Sequence, residues 1–119
     1  YIYNKPKAVI TMIIPPTIQL KVNNWNKVVE ASATKEAGRS ILTGVKLKNL
    51  PLNNALEKII DSAKEKNVLN DKYIDNKDNS IIIYTSTNND SMDLSSFEKY
   101  LKDRKLKYKI NYDGSDRIK

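Results

Sequence analysis

The 119-residue sequence contains neither cysteine nor histidine. Without cysteine there is no disulfide framework and no thiol nucleophile, although a disulfide-free domain fits the cytosol as well as the periplasm. Without histidine, the chain lacks both the commonest general base and the commonest metal ligand. These two absences exclude cysteine–histidine catalysis and the usual zinc sites.

Glycine is scarce as well, and the three glycines are isolated from one another. No glycine-rich loop is therefore present to bind a phosphate through backbone N–H groups. Asp71, Asp75 and Asp78 lie close together in sequence, but they lack the ligand order, glycine and distal glutamate of a calcium loop. The sequence therefore predicts a protein that is not an enzyme and has no cofactor or metal site.

No apolar run reaches the roughly 18 residues that a membrane-spanning helix needs. The apolar run at residues 8–14 is too short, is ended by Pro15 and Pro16, and has no signal-peptide cleavage pattern after it. Because the sequence begins at Tyr1 rather than at methionine, we expect a fragment or a processed form. Any membrane association is expected to involve parts outside this fragment.

Negative charge is scarce in the first part of the chain, and the whole chain has a formal charge of +7. Residues 1–50 contain eight Lys/Arg against two Glu, whereas residues 51–119 contain thirteen Lys/Arg against twelve Asp/Glu. A basic surface attracts nucleic acid, anionic lipid or acidic proteins. The alternative is that the lysines only keep a Lys/Asn-rich chain soluble, and their dispersal among acids favours that alternative.

One basic segment, residues 99–109, also contains two tyrosines, Tyr100 and Tyr108. Lysines on phosphates and tyrosines stacked on bases would make a nucleic-acid surface. However, Tyr108 alternates in step with Leu106 and Ile110, so it shares a strand face with them and is predicted to be in the core. A basic nucleic-acid-binding α/β module therefore remains an alternative, and nucleic acid is not the expected partner.

The stretch from residue 44 to residue 84 has the clearest pattern in the chain. Val45 and Leu47 predict a short strand, and a second strand is predicted at Tyr73 and Ile74, followed by a third at residues 81–84. Between the first two lies a helix whose apolar residues recur at helical spacing, with Pro51 in its first turn. The candidate core residues on that helix are Leu52, Leu56, Ile59 and Ile60.

Residues 17–42 predict a similar strand-then-helix unit. Ile18, Leu20 and Val22 alternate with polar residues, which indicates a half-buried strand. A helix is predicted to follow, with Trp25 and Val29 on the face that packs against the helix at residues 52–63. This helix is expected to end at a left-handed glycine at position 38, before a short strand at residues 39–42.

Residues 93–112 predict a further helix and strand, after a polar linker at residues 85–92 and before a turn at Asp113-Gly114. The predicted organisation is an N-terminal extended segment (1–16), a domain (17–87), and a linker with a partial αβ module (88–119). The predicted fold class is α+β. It consists of two βα(β) units, with two helices packed between small mixed sheets, followed by the start of a second αβ module.

The pattern V-x-L-x-N-L-P-L-x-x-A-L-x-x-I-I, followed by Tyr-Ile-Asp, a turn and I-I-I-Y, resembles the secretin and TonB N-terminal short domain. The resemblance covers roughly residues 17–86. The chain departs from it where Asn76-Lys77-Asp78-Asn79 replaces the usual glycine of the closing hairpin.

The resemblance implies a periplasmic protein–protein interaction domain of an outer-membrane secretin. Such a domain would form a homo-oligomeric ring and dock an inner-membrane platform protein of a secretion or type IV pilus system. The alternative within this resemblance is the signalling domain of a TonB-dependent transducer. A partner could add a strand to an exposed sheet edge. The candidate edge residues are Ile18, Leu20 and Val22 on one strand, and Ile81, Ile83 and Thr85 on the other.

Overall fold

A computed structural model describes residues 8–14, 16–23, 25–76, 79–86 and 94–111. Its strands are β1 (Ala8–Ile13), β2 (Thr17–Val22), β3 (Val28–Ser32), β4 (Ile81–Thr85) and β5 (Tyr108–Asn111). Its helices are α1 (Glu36–Leu42), α2 (Leu52–Glu65), α3 (Asp71–Asp75) and α4 (Ser95–Asp103).

All five strands belong to one mixed sheet in the order β3-β2-β1-β4-β5. β1 pairs antiparallel with both β2 and β4, β2 pairs antiparallel with β3, and β5 runs parallel to β4. The fold class is therefore α+β, as the sequence predicts. The helices share one core with this single sheet, whereas the sequence pattern predicts two helices between small sheets.

The core lies between the helices and one face of the sheet. Alternation places Ile10 and Met12 of β1 on that face, beside their cross-strand partners Leu20, Ile18 and Ile83. All five of these side chains are buried. Helix α2 lies over them with an apolar stripe at helical spacing, whose buried members are Leu52, Ala55, Leu56, Ile59, Ile60 and Ala63.

The predicted helix that contains Trp25 and Val29 is wrong, because the chain turns back there as a β-hairpin. The Asn23 carboxamide oxygen accepts hydrogen bonds from the backbone N–H groups of Trp25 (2.9 Å) and Lys27 (3.0 Å). Asn26 takes the left-handed conformation with φ of 56°, which asparagine tolerates better than most residues. The β-branched pair Val28-Val29 then begins β3, with a register shift opposite Lys21 and Val22.

Other local predictions also fail between residues 38 and 75. Gly38 is not a left-handed terminus but lies inside α1, which replaces the predicted strand at residues 39–42. The predicted strand at Tyr73 and Ile74 is helix α3, because the Asn70 side chain caps it by accepting a hydrogen bond from the Tyr73 N–H (3.0 Å). Val45 and Leu47 lie in a loop rather than a strand.

The helix and strand predicted in the last third of the chain agree with α4 and β5. The sheet contains β1 from segment 1–16, β2 to β4 from segment 17–87, and β5 from segment 88–119. The boundaries of those three segments stay a prediction. Most of the predicted linker and the turn at Asp113-Gly114 lie outside the described residues.

Candidate protein-interaction site

The two strands expected to offer an exposed edge are interior strands. β2 lies between β3 and β1, and β4 lies between β1 and β5. This correction arises because β1 pairs with one side of each strand, while β3 and β5 pair with their other sides. The side chains of the six candidate edge residues are buried on the core face: Ile18, Leu20, Val22, Ile81, Ile83 and Thr85.

The six candidate core residues do not lie together. Leu52, Leu56, Ile59 and Ile60 are buried on α2. Val29 is only half-buried on β3, and Trp25 is 55% exposed in the β2–β3 hairpin. The predicted packing of Trp25 against α2 is therefore wrong, because Trp25 is in a turn and not on a helix.

The described residues show no reaction centre of the kinds considered above. They contain no group of three or more acidic residues placed to hold a metal ion. Asp71 and Asp75 are exposed on helix α3, and Asp78 lies outside the described residues. No helix within the described residues has the length and apolar character of a membrane span.

The two tyrosines of the basic segment 99–109 are used inside the fold. The Tyr100 hydroxyl donates a hydrogen bond to the Asp61 carboxylate, and the Arg104 guanidinium carbon lies 3.6 Å from the centre of the Tyr100 ring. The Tyr108 hydroxyl donates to the Glu98 carboxylate at 2.8 Å. The Arg104 guanidinium covers a face of the Tyr100 ring, and Tyr108 is half-buried against the core, so these rings are poorly placed to stack on bases, which argues against a nucleic-acid surface.

Burial and acidic neighbours raise the pKa of both phenols. The pKa of Tyr100 is raised well above its usual value, first by burial and then by the hydrogen bond to Asp61 and its negative charge. Burial likewise raises the pKa of Tyr108, with a further contribution from Glu98. Both hydroxyls are therefore hydrogen-bond donors: Tyr100 joins α4 to α2, and Tyr108 joins β5 to α4.

Strand β3 is at one end of the described strand order, so one of its edges has no neighbouring strand there. That edge lies beside a groove. The beginning of β3 is covered, since the Val28 N–H donates to the Leu50 carbonyl (2.9 Å) and the Asn49 N–H donates to the Val28 carbonyl (2.7 Å). Farther along, an open groove of about 410 Å³ lies between β3 and the loop after α1. Its lining residues are Ala31, Leu42, Val45, Lys46, Leu47 and Lys48.

The sequence pattern does not predict this groove. The alternation of Val45 and Leu47 with Lys46 and Lys48 is visible in the sequence, but it predicted a paired strand. In the structure these residues form an extended loop, with Leu47 buried and both lysines exposed. The alternating residues that predict a strand therefore form one wall of the groove beside the edge of β3.

The fold and this surface define the chain as an α+β module with one five-stranded sheet and an open strand edge. A family model described as the RsgI-like anti-sigma factor central domain matches residues 7–116. Because this match spans nearly the whole chain, the chain belongs to the family of RsgI-like anti-sigma factor central domains.

A curated relative shows a similar stretch. The chain is 32% identical over 63 residues to the anti-sigma-I factor RsgI7 of Acetivibrio thermocellus. That stretch covers 53% of this chain but only 12% of the relative, so the chain corresponds to a small part of that protein.

The family match overturns the secretin interpretation. The expected role in secretion or type IV pilus assembly, the secretin ring and the inner-membrane platform partner are all wrong, and the transducer and nucleic-acid alternatives do not fit the family either. The resemblance rested on apolar spacing in strand–helix–strand units, which many α+β modules share. The periplasmic localisation depended on the same resemblance and stays an untested prediction.

Proposed function

We propose that this chain is a non-catalytic regulatory module of an anti-sigma factor, and that the protein containing it controls a sigma factor. The observation that carries the proposal is the family match over residues 7–116. The relative's name, anti-sigma-I factor, makes a sigma factor of that type the proposed partner of the whole protein.

The composition supports a binding role over a catalytic one. The chain has no histidine or cysteine, and its best-placed phenols are held neutral in structural contacts. Helices α1, α2 and α4 share one buried cluster with the sheet, and α3 packs against it, so the module is a single folded body that a binding event can displace or stabilise as a unit. In this proposal, the folded module sets how much of the sigma factor the whole protein holds inactive.

A transcription reporter tests this role in cells that carry the natural, full-length gene. The reporter promoter depends on the cognate sigma factor. Leu56→Asp buries a charge in the core and is expected to unfold the module, which should change reporter output several-fold. Lys58→Ala, two residues away on the exposed face of α2, is the matched control and should leave output unchanged.

Protein amount is measured by immunoblot in the same cells, so that degradation of the whole protein is distinguished from a regulatory effect. If Leu56→Asp accumulates at the level of the unmodified protein, is shown to be unfolded by limited proteolysis, and gives the same reporter output, the module is an inert spacer. That result would overturn the proposal.

A further inference from the structure

Beyond its first residue, the outer edge of β3 lies beside an apolar groove with basic residues at its rim. Only its start is paired on the outer side, where Lys27 and Pro51 form an isolated β-bridge and Val28 bonds to Asn49 and Leu50. Past that point, no further bridge joins β3 to the loop among residues 25–76. The strand therefore continues as an edge while the loop forms the opposite wall of the groove.

The floor of the groove is apolar and continuous with the core. Ala31 lies on the core face of the sheet, because it pairs with the buried Leu20. Ala31, Leu42 and Val45 are partly buried and pack against the central cluster, and Leu47 belongs to that cluster. An added strand could therefore place apolar side chains at alternate positions onto an existing apolar surface.

The rim of the groove is basic. Lys46 and Lys48 are both exposed on the loop. Glu30 lies on β3 itself, and its carboxylate is 3.3 Å from the Lys21 ammonium of β2, which offsets part of its charge. Residues 1–50, which supply the whole groove, hold eight basic and two acidic residues. The potential around this edge therefore favours an acidic partner.

We propose that the edge of β3 and the adjoining groove bind an extended acidic peptide segment of a partner protein, which adds a strand to the sheet. Main-chain hydrogen bonds to β3 would give affinity, and alternate apolar side chains in the groove would give specificity. Acidic side chains between them would contact Lys46 and Lys48. This docking site does not depend on the proposed sigma-factor role, and it is tested separately.

The test measures binding of a fluorescent octapeptide of alternating glutamate and valine to the 119-residue chain. Fluorescence anisotropy gives the affinity, and NMR amide shifts locate the contact. We expect shifts at Ala31, Val45 and Leu47. Lys46→Glu combined with Lys48→Glu should weaken binding by about tenfold or more, because close opposite charges become like charges. Lys99→Glu combined with Lys102→Glu makes the same charge change on α4 and should not weaken binding.

Two peptide series separate strand addition from simple charge attraction. Peptides N-methylated at either the odd or the even amides lose the hydrogen bonds of one strand edge, so only one of the two should lose binding. An all-glutamate octapeptide and a single-stranded oligonucleotide should bind at least about tenfold more weakly, because neither fills the apolar groove.

The proposal is overturned if the octapeptide does not bind, if both N-methylated peptides bind equally, or if the all-glutamate peptide or oligonucleotide binds as tightly. It is also overturned if the two double variants weaken binding to the same extent. Thermal unfolding of each variant is measured first, to show that it folds. Val45→Ser changes the apolar groove without changing the charges of Lys46 and Lys48, and it should also weaken binding.

Discussion

Helices α1 and α4 both pack against α2, but the contacts that hold them differ in kind. α4 buries the side chains of Phe97, Tyr100 and Leu101. Its first turn is also joined to α2, since the Phe97 N–H donates to the Asn53 side chain at 2.9 Å. α1 buries only Gly38 and Ile41, so it contributes little apolar area to the core.

α1 is instead held through backbone carbonyls near its C-terminal end. The Ser62 hydroxyl of α2 donates to the Ile41 carbonyl at 2.6 Å. The Lys66 ammonium donates to the carbonyls of Ser40 and Thr43, the latter at 2.8 Å. These carbonyls are the acceptors that a helix end leaves without intrahelical partners, and a cation near them is favourable. The comparison indicates that α4 is stabilised mainly by burial and α1 mainly by polar contacts from its neighbour.

The largest expected loss of stability is in α4, the helix that is held mainly by burial of apolar side chains. Phe97→Ala should lower the free energy of unfolding by about 3–5 kcal/mol, because it removes a fully buried ring and leaves a cavity. Chemical denaturation measures the loss, and Lys99→Ala on the exposed face of α4 is the control, expected within about 0.5 kcal/mol of the unmodified chain. A loss no larger than that of the control would show that α4 does not depend on burial.

The polar attachment of α1 is tested at Ser62, whose hydroxyl donates to the Ile41 carbonyl. Ser62→Ala leaves the buried Ile41 carbonyl without this donor, which should cost about 1–3 kcal/mol. Hydrogen exchange should show faster opening of α1 amides while α4 amides change less, because the lost contact belongs to α1. Ser96→Ala, at an exposed position of α4, is the control. Equal acceleration in both helices would contradict the separate attachment of α1.

A smaller effect is expected at Gly38, where α1 approaches the hairpin closely. A Cβ atom at this position would lie 2.8 Å from the Ala33 Cβ and 3.2 Å from the Thr17 carbonyl oxygen. Gly38→Ala should therefore cost about 1–3 kcal/mol from overpacking, reduced by up to about 1 kcal/mol from better helix propensity.

The partner substitution Ala33→Gly removes the closest atom, so a double-mutant cycle should show favourable coupling between positions 33 and 38. Gly44→Ala is the contrasting variant. It has open space around it but a φ of 79°, so its cost is backbone strain and should not couple to position 33. Absence of coupling between 33 and 38 would refute the close contact.

The smallest expected effect concerns pH. The raised pKa of Tyr100 means that the folded chain holds this proton more tightly than the unfolded chain. Its contribution to stability is fully present below the unfolded pKa of about 10 and is lost as pH rises above it. Tyr100→Phe should cost roughly 1 kcal/mol at pH 7 and should flatten the fall in stability between pH 9 and pH 11.

The pH comparison is made against the unmodified chain, since lysines and the other tyrosines titrate in the same range in both proteins. Tyr108→Phe serves as the companion variant, because the pKa of that phenol is raised as well. An identical pH dependence in Tyr100→Phe and the unmodified chain would show that the Asp61 contact does not stabilise the neutral phenol.

The sequence predicted the elements whose periodicity is long or strict. α2 has fourteen residues with a continuous apolar stripe, and β5 lies in a strictly alternating run, so their local patterns have no competing interpretation. The pattern of residues 25–42 predicts a helix followed by a strand, whereas the structure has strand β3 followed by helix α1. The apolar spacing there is short enough to fit either a helix or a strand. There the Asn23 side chain, a left-handed Asn26 and the contacts from α2 decide the structure.

The groove could not be predicted because it depends on strand order. Local patterns show that Ile18–Val22 and Ile81–Thr85 are strands, but they do not show that β1 separates them or that β3 is at an end. The alternation of Val45 and Leu47 predicts a strand, yet the tertiary structure shows a loop that pairs with the β3 strand only from Asn49 onward. Strand order is fixed by pairing between distant residues, which single-strand patterns do not contain.

The central position of β1 has a consequence for synthesis of the chain. Residue 10 pairs with residue 20 on one side and with residue 85 on the other. As the chain leaves the ribosome, the β1–β2 hairpin can close early, but its second edge must wait until β4 emerges, several seconds later at about 5–20 residues per second. During that interval the hairpin exposes both an unpaired edge and the apolar face that α2 later covers, which makes the nascent module a candidate client for chaperones.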